Sequence, residues 1–242
     1  MTDAFPRIEP LGEQALLVRF APALDDAANR ACLAFRAALE EARPPGVVET
    51  ASSLGSVLAR FEGGAGPVRD AIDALLGERD WAAAPAAPSR RWRIPCAFGG
   101  TDGPQLAEAA ALAGTDEAGA IETLTGATLR VLALGFAPGM PYLGILPPDW
   151  DIPRQAGLTP KVPEGALVVA VRQLVLFGTE APTGWRQVGR TAFPCFDPSR
   201  ARPIALAPGD EVRFEAVMPE ALARAAAADP ERLGGATWEA VG

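Results

Sequence analysis

The chain has 242 residues, of which 49% are hydrophobic, and this is enough to bury the core of one large domain or of two smaller ones. Its formal net charge of −8 argues against binding to nucleic acid or to an anionic membrane surface, because both are polyanions. The absence of histidine excludes Ser-His-Asp and Cys-His catalysis, and also histidine-ligated zinc, within this chain.

Several features of the sequence indicate a cytoplasmic protein. No apolar run approaches the length that spans a bilayer, and the N-terminus lacks the hydrophobic region of a secretory signal. The three cysteines, Cys32, Cys96 and Cys195, form neither a disulfide framework nor a CxxC pair, which suits a reducing compartment. We also find no set of residues with the spacing of a metal site, and we expect no metal.

The first part of the chain is predicted to form a small α+β domain. Residues 14–20 alternate between apolar and polar positions as a strand does. A helix is predicted to begin at Asp25 or Asp26, because apolar residues recur from there at helical steps, and to end at the Pro-Pro-Gly run 44–46. Two short strands and a second helix follow around 47–50, around 57–61 and from about Pro67. The order β-α-β-β-α predicts helices on one face of a sheet.

Residues 82–91 are rich in alanine and proline and lack periodicity, which is typical of an interdomain linker. They separate an N-terminal domain at 1–84 from a second domain at 92–242. The second domain is predicted to contain helices near 103–113 and 116–124.

From Thr128 the pattern changes to short strands separated by glycine and proline. These strands are LRVLALG, ALVVAVR, LVLFG and DEVRFEAV, with a tight turn at 208–211 before the last. Such spacing predicts an antiparallel barrel or sandwich. After Met218 the chain is alanine-rich and helical, and then a loop leads through the glycines 234–235 to Trp238.

Residues 131–191 contain a run rich in glycine and proline, which we expect to form shaped turns rather than a regular element. Tyr142 and Lys161, the only tyrosine and the only lysine of the chain, both fall in this run, as does Trp185. Shaped loops that hold a few polar and aromatic side chains commonly form binding sites.

This run resembles the 5-oxoprolinase B-subunit family, which is also known as the allophanate hydrolase subunit 1 or kinase-inhibitor (KipI) family. Its members are similar in a run of GF-x-PGF-x-YLG, two PR pairs, a Q-T-G-x-Y strand and SPGGW-x-x-x-GRT. The N-terminal LGEQALLVRF and the later PGDEVRF also resemble the family. Identical positions in the run are Gly135, Phe136, Pro138, Gly139, Pro141, Tyr142, Leu143, Gly144, Pro153, Arg154, Pro160, Val162, Pro163, Gly165, Gln173, Pro182, Gly184, Trp185, Gly189, Arg190 and Thr191.

The resemblance implies an α+β fold class, with a small N-terminal α+β domain followed by a cyclophilin-like β-barrel domain. It implies assembly with a homologous partner of the type found as the 5-oxoprolinase C-subunit or as allophanate hydrolase subunit 2. The implied reaction is the ATP-dependent opening of a cyclic amide, 5-oxoproline, to glutamate. ATP would be a co-substrate bound by the complex, since the sequence has no GxxxxGK[ST] loop.

The chain also departs from the family pattern. The second PR pair is replaced by Pro160 and Lys161, and the first glycine of the double glycine by Thr183. The Q-T-G-x-Y strand reads QLVLFG at 173–178. The histidine that precedes a YRV strand in the family is missing, since that region reads IETLTGATLRV here.

The candidate site residues follow from the chemistry of the implied reaction and from the motif positions. Arg154, Lys161 and Arg190 are the candidate cations for a carboxylate or phosphates, and Glu164, which lies next to the PKVP turn, is a candidate base. The candidate substrate-binding residues are Phe136, Pro138, Gly139, Tyr142, Gln173, Gly184, Trp185 and Arg190.

Each candidate has a plainer interpretation. Arg154 and Arg190 also fit surface ion pairs, and Glu164 fits a solvated loop carboxylate. The glycines fit turn geometry, Tyr142 and Trp185 fit caps on the barrel core, and Phe136 is expected in the core. For the functional interpretation to hold, Tyr142, Lys161 and Trp185 must converge on one positively lined hollow at the barrel mouth.

Two other functions fit the same resemblance. One is a KipI-like regulatory protein that inhibits a sensor histidine kinase. The other is a carboxyltransferase component that acts on a urea-like substrate, with any biotin carried by another chain. Recovery of a second carboxyltransferase-type protein or of a sensor kinase with this chain distinguishes the enzyme from the regulator.

Overall fold

The computed structural model describes residues 5–85 and 90–241, and within these residues no helix is long and apolar enough to cross a bilayer. The chain divides into two compact units, residues 1–87 and 88–242. Both units combine helices with sheets, which confirms the predicted α+β fold class.

The first unit is a four-stranded antiparallel sheet with two helices. Its elements are β1 (Arg7–Pro10), β2 (Ala15–Arg19), α1 (Asp26–Ala42), β3 (Val47–Ser52), β4 (Ser56–Phe61) and α2 (Ala65–Leu76). The sheet order is β1-β2-β4-β3. Asp25 caps α1 by accepting a hydrogen bond from the Ala28 N–H, and the helix ends where Arg43 adopts a left-handed conformation before Pro44. The predicted order lacked β1, because this edge strand is polar and ends in proline.

The second unit is a seven-stranded closed barrel with three helices. Its elements are β5 (Arg90–Phe98), α3 (Leu106–Leu112), α4 (Glu117–Gly126), β6 (Leu129–Leu134), β7 (Pro141–Gly144), β8 (Thr159–Val162), β9 (Ala166–Ala170), β10 (Gln173–Leu176), β11 (Ala181–Thr183), β12 (Arg186–Thr191), β13 (Glu211–Ala216), α5 (Pro219–Ala227) and β14 (Thr237–Ala240). The barrel order is β12-β9-β10-β7-β6-β13-β5, with β12 pairing to β5 to close it. Strand β14 pairs with the N-terminal residues of β5, and β8 pairs with β11 in a separate two-stranded sheet.

Successive side chains along the barrel strands alternate between two apolar clusters, one inside the barrel and one on its outer face. Residues such as Leu143, Leu167 and Leu174 join side chains from every barrel strand in one large interior core. Their neighbours Val168 and Val175 face outward and pack in a smaller cluster with residues of β8 and β11. The two-stranded sheet therefore covers part of the outer face of the barrel.

Three sequence predictions about this unit are corrected by the structure. The glycine- and proline-rich run is not free of regular elements, since β7, β8, β11 and β12 lie within it. The prolines within these strands are tolerated because Pro141 opens its strand and Pro160 and Pro182 lie in the small separate sheet. The barrel is not wholly antiparallel, because β13 runs parallel to β5. The loop predicted up to Trp238 contains β14.

Part of the segment 82–91, which was predicted to be a linker, belongs to regular elements. Residues 82 and 83 belong to a short 3-10 helix, Trp81–Ala83, and residues 90 and 91 begin β5. Residues 86–89 lie outside the described part of the chain.

Candidate functional site

A groove of about 230 Å³ lies on the outer face of the barrel, and we refer to it as the outer-face groove. Its floor is formed by outward-facing side chains of β7 and β10, and its far wall by β11 and the chain that follows it. The lining residues are Phe136, Met140, Tyr142, Arg154, Leu158, Val175, Phe177, Pro182, Thr183, Gly184 and Trp185. Five of the sequence-predicted site residues, Phe136, Tyr142, Arg154, Gly184 and Trp185, are thus brought together.

Arg154 and Trp185 form the polar end of the groove. The Arg154 guanidinium lies over the Trp185 ring, 5.4 Å from its centroid. In the described part of the chain Arg154 has no acidic partner, although its side chain is exposed. A guanidinium that stacks on an indole keeps its N–H donors free for a second group, so this pair is suited to hold an anion.

Phe136 does not belong to the core, contrary to the expectation from the sequence. It lies in the loop between β6 and β7, where it adopts a left-handed φ of 72° and leaves 74% of its surface exposed. Left-handed φ is uncommon for a bulky side chain, and residues held in it concentrate at binding sites. The loop is held closed by hydrogen bonds from Gly135 N–H to the Met140 carbonyl and from Met140 N–H to the Ala137 carbonyl, at 3.0 and 3.1 Å.

Three glutamines support the polar end of the groove, and sequence reasoning missed them. Gln155 donates from its backbone N–H to the Gly184 carbonyl at 2.7 Å, and from its side chain to the Trp185 carbonyl at 3.0 Å. Its side-chain oxygen accepts a hydrogen bond from Gln105 at 2.7 Å, and the Gln105 oxygen in turn accepts from the Gln187 N–H at 2.8 Å. The chain segment that follows Arg154 is therefore fixed to the strand that follows Trp185.

Two further side chains fix this region. The Thr183 hydroxyl accepts a hydrogen bond from the Trp185 N–H at 3.0 Å, so this departure from the family glycine has a structural role. Arg186 is buried and donates to Glu108 at 2.8 Å and to the Pro153 carbonyl at 2.6 Å. The position of the Arg154 backbone is thus determined by contacts on both sides.

Lys161 does not meet the other two residues of the predicted hollow. Tyr142 and Trp185 line the outer-face groove, whereas Lys161 is not among its described lining residues. Its ammonium instead pairs with Glu180 at 2.6 Å, with 66% of the lysine side chain and 52% of the glutamate side chain exposed. The predicted convergence at the barrel mouth is therefore wrong. Lys161 lies on β8, whose separate pairing with β11 could not be inferred from local pattern.

Four other predicted residues also lie outside the described lining of the groove. Gly139 has a left-handed φ of 69°, and a Cβ placed there would lie 2.2 Å from the Cys195 carbonyl oxygen, so it has a packing role. Pro138 precedes it in the same loop. Glu164 and Arg190 are exposed, the first in the turn between β8 and β9 and the second on β12.

Gln173 is the remaining predicted residue. It opens β10, faces outward as Val175 does, and is 6% exposed. It lies next to the groove rather than in its lining.

Comparison with known proteins assigns the family. Residues 6–206 match the family model described as carboxyltransferase domain, subdomain C and D. The chain is 34% identical over 206 residues to the 5-oxoprolinase B-subunit of Escherichia coli O157:H7, and the match covers 84% of this chain and 93% of that protein. The chain belongs to the family of carboxyltransferase domains, subdomain C and D. The resemblance drawn from the sequence motifs is thereby confirmed.

Solved structures of known proteins share the fold. The structure of TTHA0988 is 30% identical, with a TM-score of 0.71, and the match covers 84% of this chain and 40% of that one. The urea amidolyase of Kluyveromyces lactis is 18% identical, with a TM-score of 0.74, and the match covers 97% of this chain and 16% of that one. At this identity the second comparison shows a common fold only.

The residues of this chain that match the family motifs have two kinds of role. Phe136, Tyr142, Arg154 and Trp185 present side chains to the outer-face groove. Gly139 and Gly165 allow backbone contacts that a side chain would block, since a Cβ at either position would lie 2.2 Å from a carbonyl oxygen.

Proposed function

We propose that this chain is one component of an ATP-dependent amidohydrolase of the 5-oxoprolinase type, and that the outer-face groove binds 5-oxoproline. Relatives named as B-subunits of 5-oxoprolinase support the reaction class. The observation that carries the proposal is the Arg154 guanidinium, which is stacked over Trp185 at the groove and has no acidic partner in residues 5–85 and 90–241.

The groove matches the chemistry of the proposed substrate. 5-Oxoproline is a small planar lactam that carries one carboxylate. Arg154 can bind the carboxylate through two parallel hydrogen bonds, while the lactam packs between Tyr142 and Trp185. Pockets for larger ligands measure about 300–1,000 Å³. The groove volume therefore suits the lactam better than a nucleotide.

The reaction requires more than this groove supplies. Amide resonance protects the lactam carbonyl, and transfer of the γ-phosphoryl group of ATP to its oxygen removes that protection. Water then adds to the carbonyl carbon and loses a proton, the C–N bond breaks, and the ring nitrogen takes up a proton, which leaves the γ-carboxyl group of glutamate as an acyl phosphate. A second water cleaves this acyl phosphate and releases inorganic phosphate. Glutamate, ADP and phosphate are the products. None of the described lining residues is acidic, and the sequence has no histidine, so a base is missing.

We therefore propose that a homologous partner protein completes the site with the base and the nucleotide-binding groups. A complex of this chain with a carboxyltransferase-type partner from the same organism should convert 5-oxoproline to glutamate only when ATP is present. The assay measures glutamate and ADP for each protein alone and for the complex.

The same experiment separates the alternatives. Activity of this chain alone would contradict a shared site. Recovery of a sensor histidine kinase, with inhibition of its autophosphorylation, would replace the enzyme with a regulator. Carboxylation of a urea-like substrate by the complex in the presence of carboxybiotin would replace ring opening with carboxyl transfer. In line with the sequence, we place the complex in the cytoplasm, which fractionation of cells can test.

A further inference from the structure

A second cavity, of about 250 Å³, lies in the first unit, and we refer to it as the first-unit pocket. It forms where the start of α1 and the chain after β2 meet the end of α2 and the short 3-10 helix Trp81–Ala83. Its described lining falls within residues 5–82 and shares no residue with the described lining of the outer-face groove. The first-unit pocket is therefore a separate candidate site.

Three aromatic side chains, Phe5, Phe20 and Trp81, give the pocket apolar surface. The Trp81 indole N–H donates to the Leu76 carbonyl at 3.2 Å, and its ring packs edge to face on Phe35 at 5.1 Å between centroids. Phe20 packs on Phe35 as well, at 5.5 Å. Two of the three rings are thus held by the core of the unit, and they form a preorganised apolar surface for a ligand.

Arg79 brings an unpaired positive charge to the pocket. Its guanidinium lies over the Trp81 ring, 4.2 Å from the centroid. Arg79 is exposed, and it makes no hydrogen bond and no ion pair with any residue of 5–85 and 90–241. Stacking on the indole uses the face of the guanidinium and leaves the N–H donors at its edge free. Arg79 is therefore able to bind a carboxylate.

Two carboxylates line the same pocket, and neither neutralises Arg79. The Asp25 Oδ1 atom accepts a hydrogen bond from the Ala28 N–H, and the Asp80 Oδ1 atom accepts one from the Ala82 N–H, both at 3.0 Å. These capping contacts fix the two carboxylates in place. The second oxygen of each makes no hydrogen bond within the described part of the chain. The pocket thus offers both a free cation and free carboxylate oxygens.

We infer that the first-unit pocket binds a free α-amino acid with an apolar side chain. Arg79 binds the α-carboxylate, and Asp25 and Asp80 bind the α-ammonium group. The aromatic rings pack against the side chain of the ligand. A ligand with only a carboxylate would bring a second negative charge to the two aspartates, and a ligand with only an ammonium group would leave Arg79 without a partner.

The size of the pocket agrees with this class of ligand. Its volume of about 250 Å³ lies below the range of about 300–1,000 Å³ for drug-sized ligands, so it suits a single amino acid. The inference does not rest on the proposed function, because the pocket and the outer-face groove have no described lining residue in common.

Three probes that share one side chain test the charge requirement. Calorimetry on the full chain compares L-phenylalanine with 3-phenylpropanoate, which lacks the ammonium group, and with 2-phenylethylammonium, which lacks the carboxylate. L-Phenylalanine should bind at least about tenfold more tightly than either, since each analogue loses a hydrogen bond between charged groups. L-Glutamate should also bind at least about tenfold more weakly, because its second carboxylate would lie against aromatic rings.

Arg79→Gln tests the carboxylate contact. Because Arg79 is exposed and unpaired, the substitution should leave the melting temperature nearly unchanged. It should weaken binding of L-phenylalanine at least about tenfold without weakening binding of 2-phenylethylammonium. Arg60→Gln is the matched control in the same unit, because Arg60 makes an exposed ion pair with Glu49 at 2.9 Å and lies outside the described lining of the pocket.

The outcomes that overturn the inference are distinct. Absence of L-phenylalanine binding overturns it, as does equally tight binding of 3-phenylpropanoate. Equal weakening by Arg79→Gln and Arg60→Gln would show an effect of net charge alone, which also overturns it. Arg154→Ala should leave binding of L-phenylalanine unchanged, and a loss of binding there would place the ligand in the outer-face groove instead. Binding of 5-oxoproline by Arg79→Gln tests the proposed function separately and should equal that of the unmodified chain.

Discussion

At the residue scale, Arg154 dominates the electrostatics of the outer-face groove. A hydrogen bond to a charged group contributes about 1.5–3 kcal/mol, so Arg154→Ala should weaken binding of 5-oxoproline roughly tenfold to a hundredfold. The measurement is the Kd by calorimetry, together with KM in the complex. Arg93→Ala is the matched control, because Arg93 makes an exposed ion pair with Glu215 on another strand, away from the groove lining. Equal effects of the two substitutions would show that Arg154 acts only through the net charge.

The three buried thiols predict a loss of stability in alkali. Burial, with a smaller contribution from the nearby Glu164 carboxylate, raises the pKa of Cys195 to about 12. Burial also raises the pKa of Cys32 to about 12 and raises the pKa of Cys96. A thiol in an unfolded chain has a pKa of about 8.5. Below about pH 8.5 the thiols are protonated in both the folded and the unfolded chain, so they do not change the free energy of unfolding. As the pH rises toward the pKa values of the folded state, the unfolded chain loses protons that the folded chain keeps, and the free energy of unfolding falls.

This prediction can be tested cleanly because the chain has one lysine and one tyrosine, so few other groups titrate in the same range. The free energy of unfolding in urea should fall between about pH 8.5 and about pH 11, by up to about 1.4 kcal/mol per pH unit for each thiol. Cys195→Ala should make this slope shallower by the share of one thiol. A slope that the substitution leaves unchanged would contradict the assignment.

At the scale of single elements, the loop between β6 and β7 depends on Gly139. A Cβ there would lie 2.2 Å from the Cys195 carbonyl oxygen, and the φ of 69° is unfavourable for any side chain. We expect Gly139→Ala to lower the free energy of unfolding by about 2 kcal/mol or more. Gly135→Ala is the control in the same loop, since a Cβ there meets nothing within 4 Å. Urea denaturation compares the two, and equal stabilities would contradict the packing role.

Asp210 precedes β13 and links it to β5 through side-chain contacts. It is 1% exposed, binds Arg90 through both carboxylate oxygens at 3.1 and 2.6 Å, and accepts a hydrogen bond from Trp92 at 3.1 Å. Removing one partner of a buried ion pair leaves the other uncompensated, so Asp210→Ala should cost about 3–5 kcal/mol. Glu215→Ala, which removes an exposed partner of Arg93, should cost less than about 1 kcal/mol. Thermal unfolding distinguishes these outcomes.

Elements with a strong local period could be predicted from the sequence, and those set by distant pairing could not. Helix α1 follows from its apolar spacing and its Asp25 cap, both of which lie within one short segment. The parallel pairing of β13 with β5 joins Glu211 to Arg91 across most of the second unit, and no local pattern encodes it. The glutamine contacts behind Arg154 are hidden for the same reason, because Gln105 and Gln155 meet only in the folded barrel.

The candidate site shows the same division. Arg154, Tyr142 and Trp185 were identified from the resemblance of short motifs, and the structure brings them to one groove. Lys161 belongs to the same motifs, but its strand pairs in a separate sheet and its ammonium pairs with Glu180. A motif match gives the residue types of a site, whereas the direction of each side chain depends on register.

At the scale of the whole molecule, each unit buries a core of its own. One apolar cluster draws only on the first unit, with Phe35 and Trp81 packed edge to face at 5.1 Å between ring centroids. The two other clusters draw only on residues of the barrel and its helices. A unit with a complete core can fold alone, so residues 90–242 expressed separately should unfold in one cooperative transition.

All of the described lining of the outer-face groove also lies in that second unit. The fragment 90–242 should therefore bind 5-oxoproline with the Kd of the full chain, within about threefold, and Arg154→Ala should weaken binding equally in both. Calorimetry measures the Kd, and near-ultraviolet circular dichroism reports whether the tryptophans are packed. A fragment that keeps its helices but loses the near-ultraviolet signal would show that the barrel core is incomplete without the first unit. A packed fragment with much weaker binding would instead show that the first unit contributes to the ligand site.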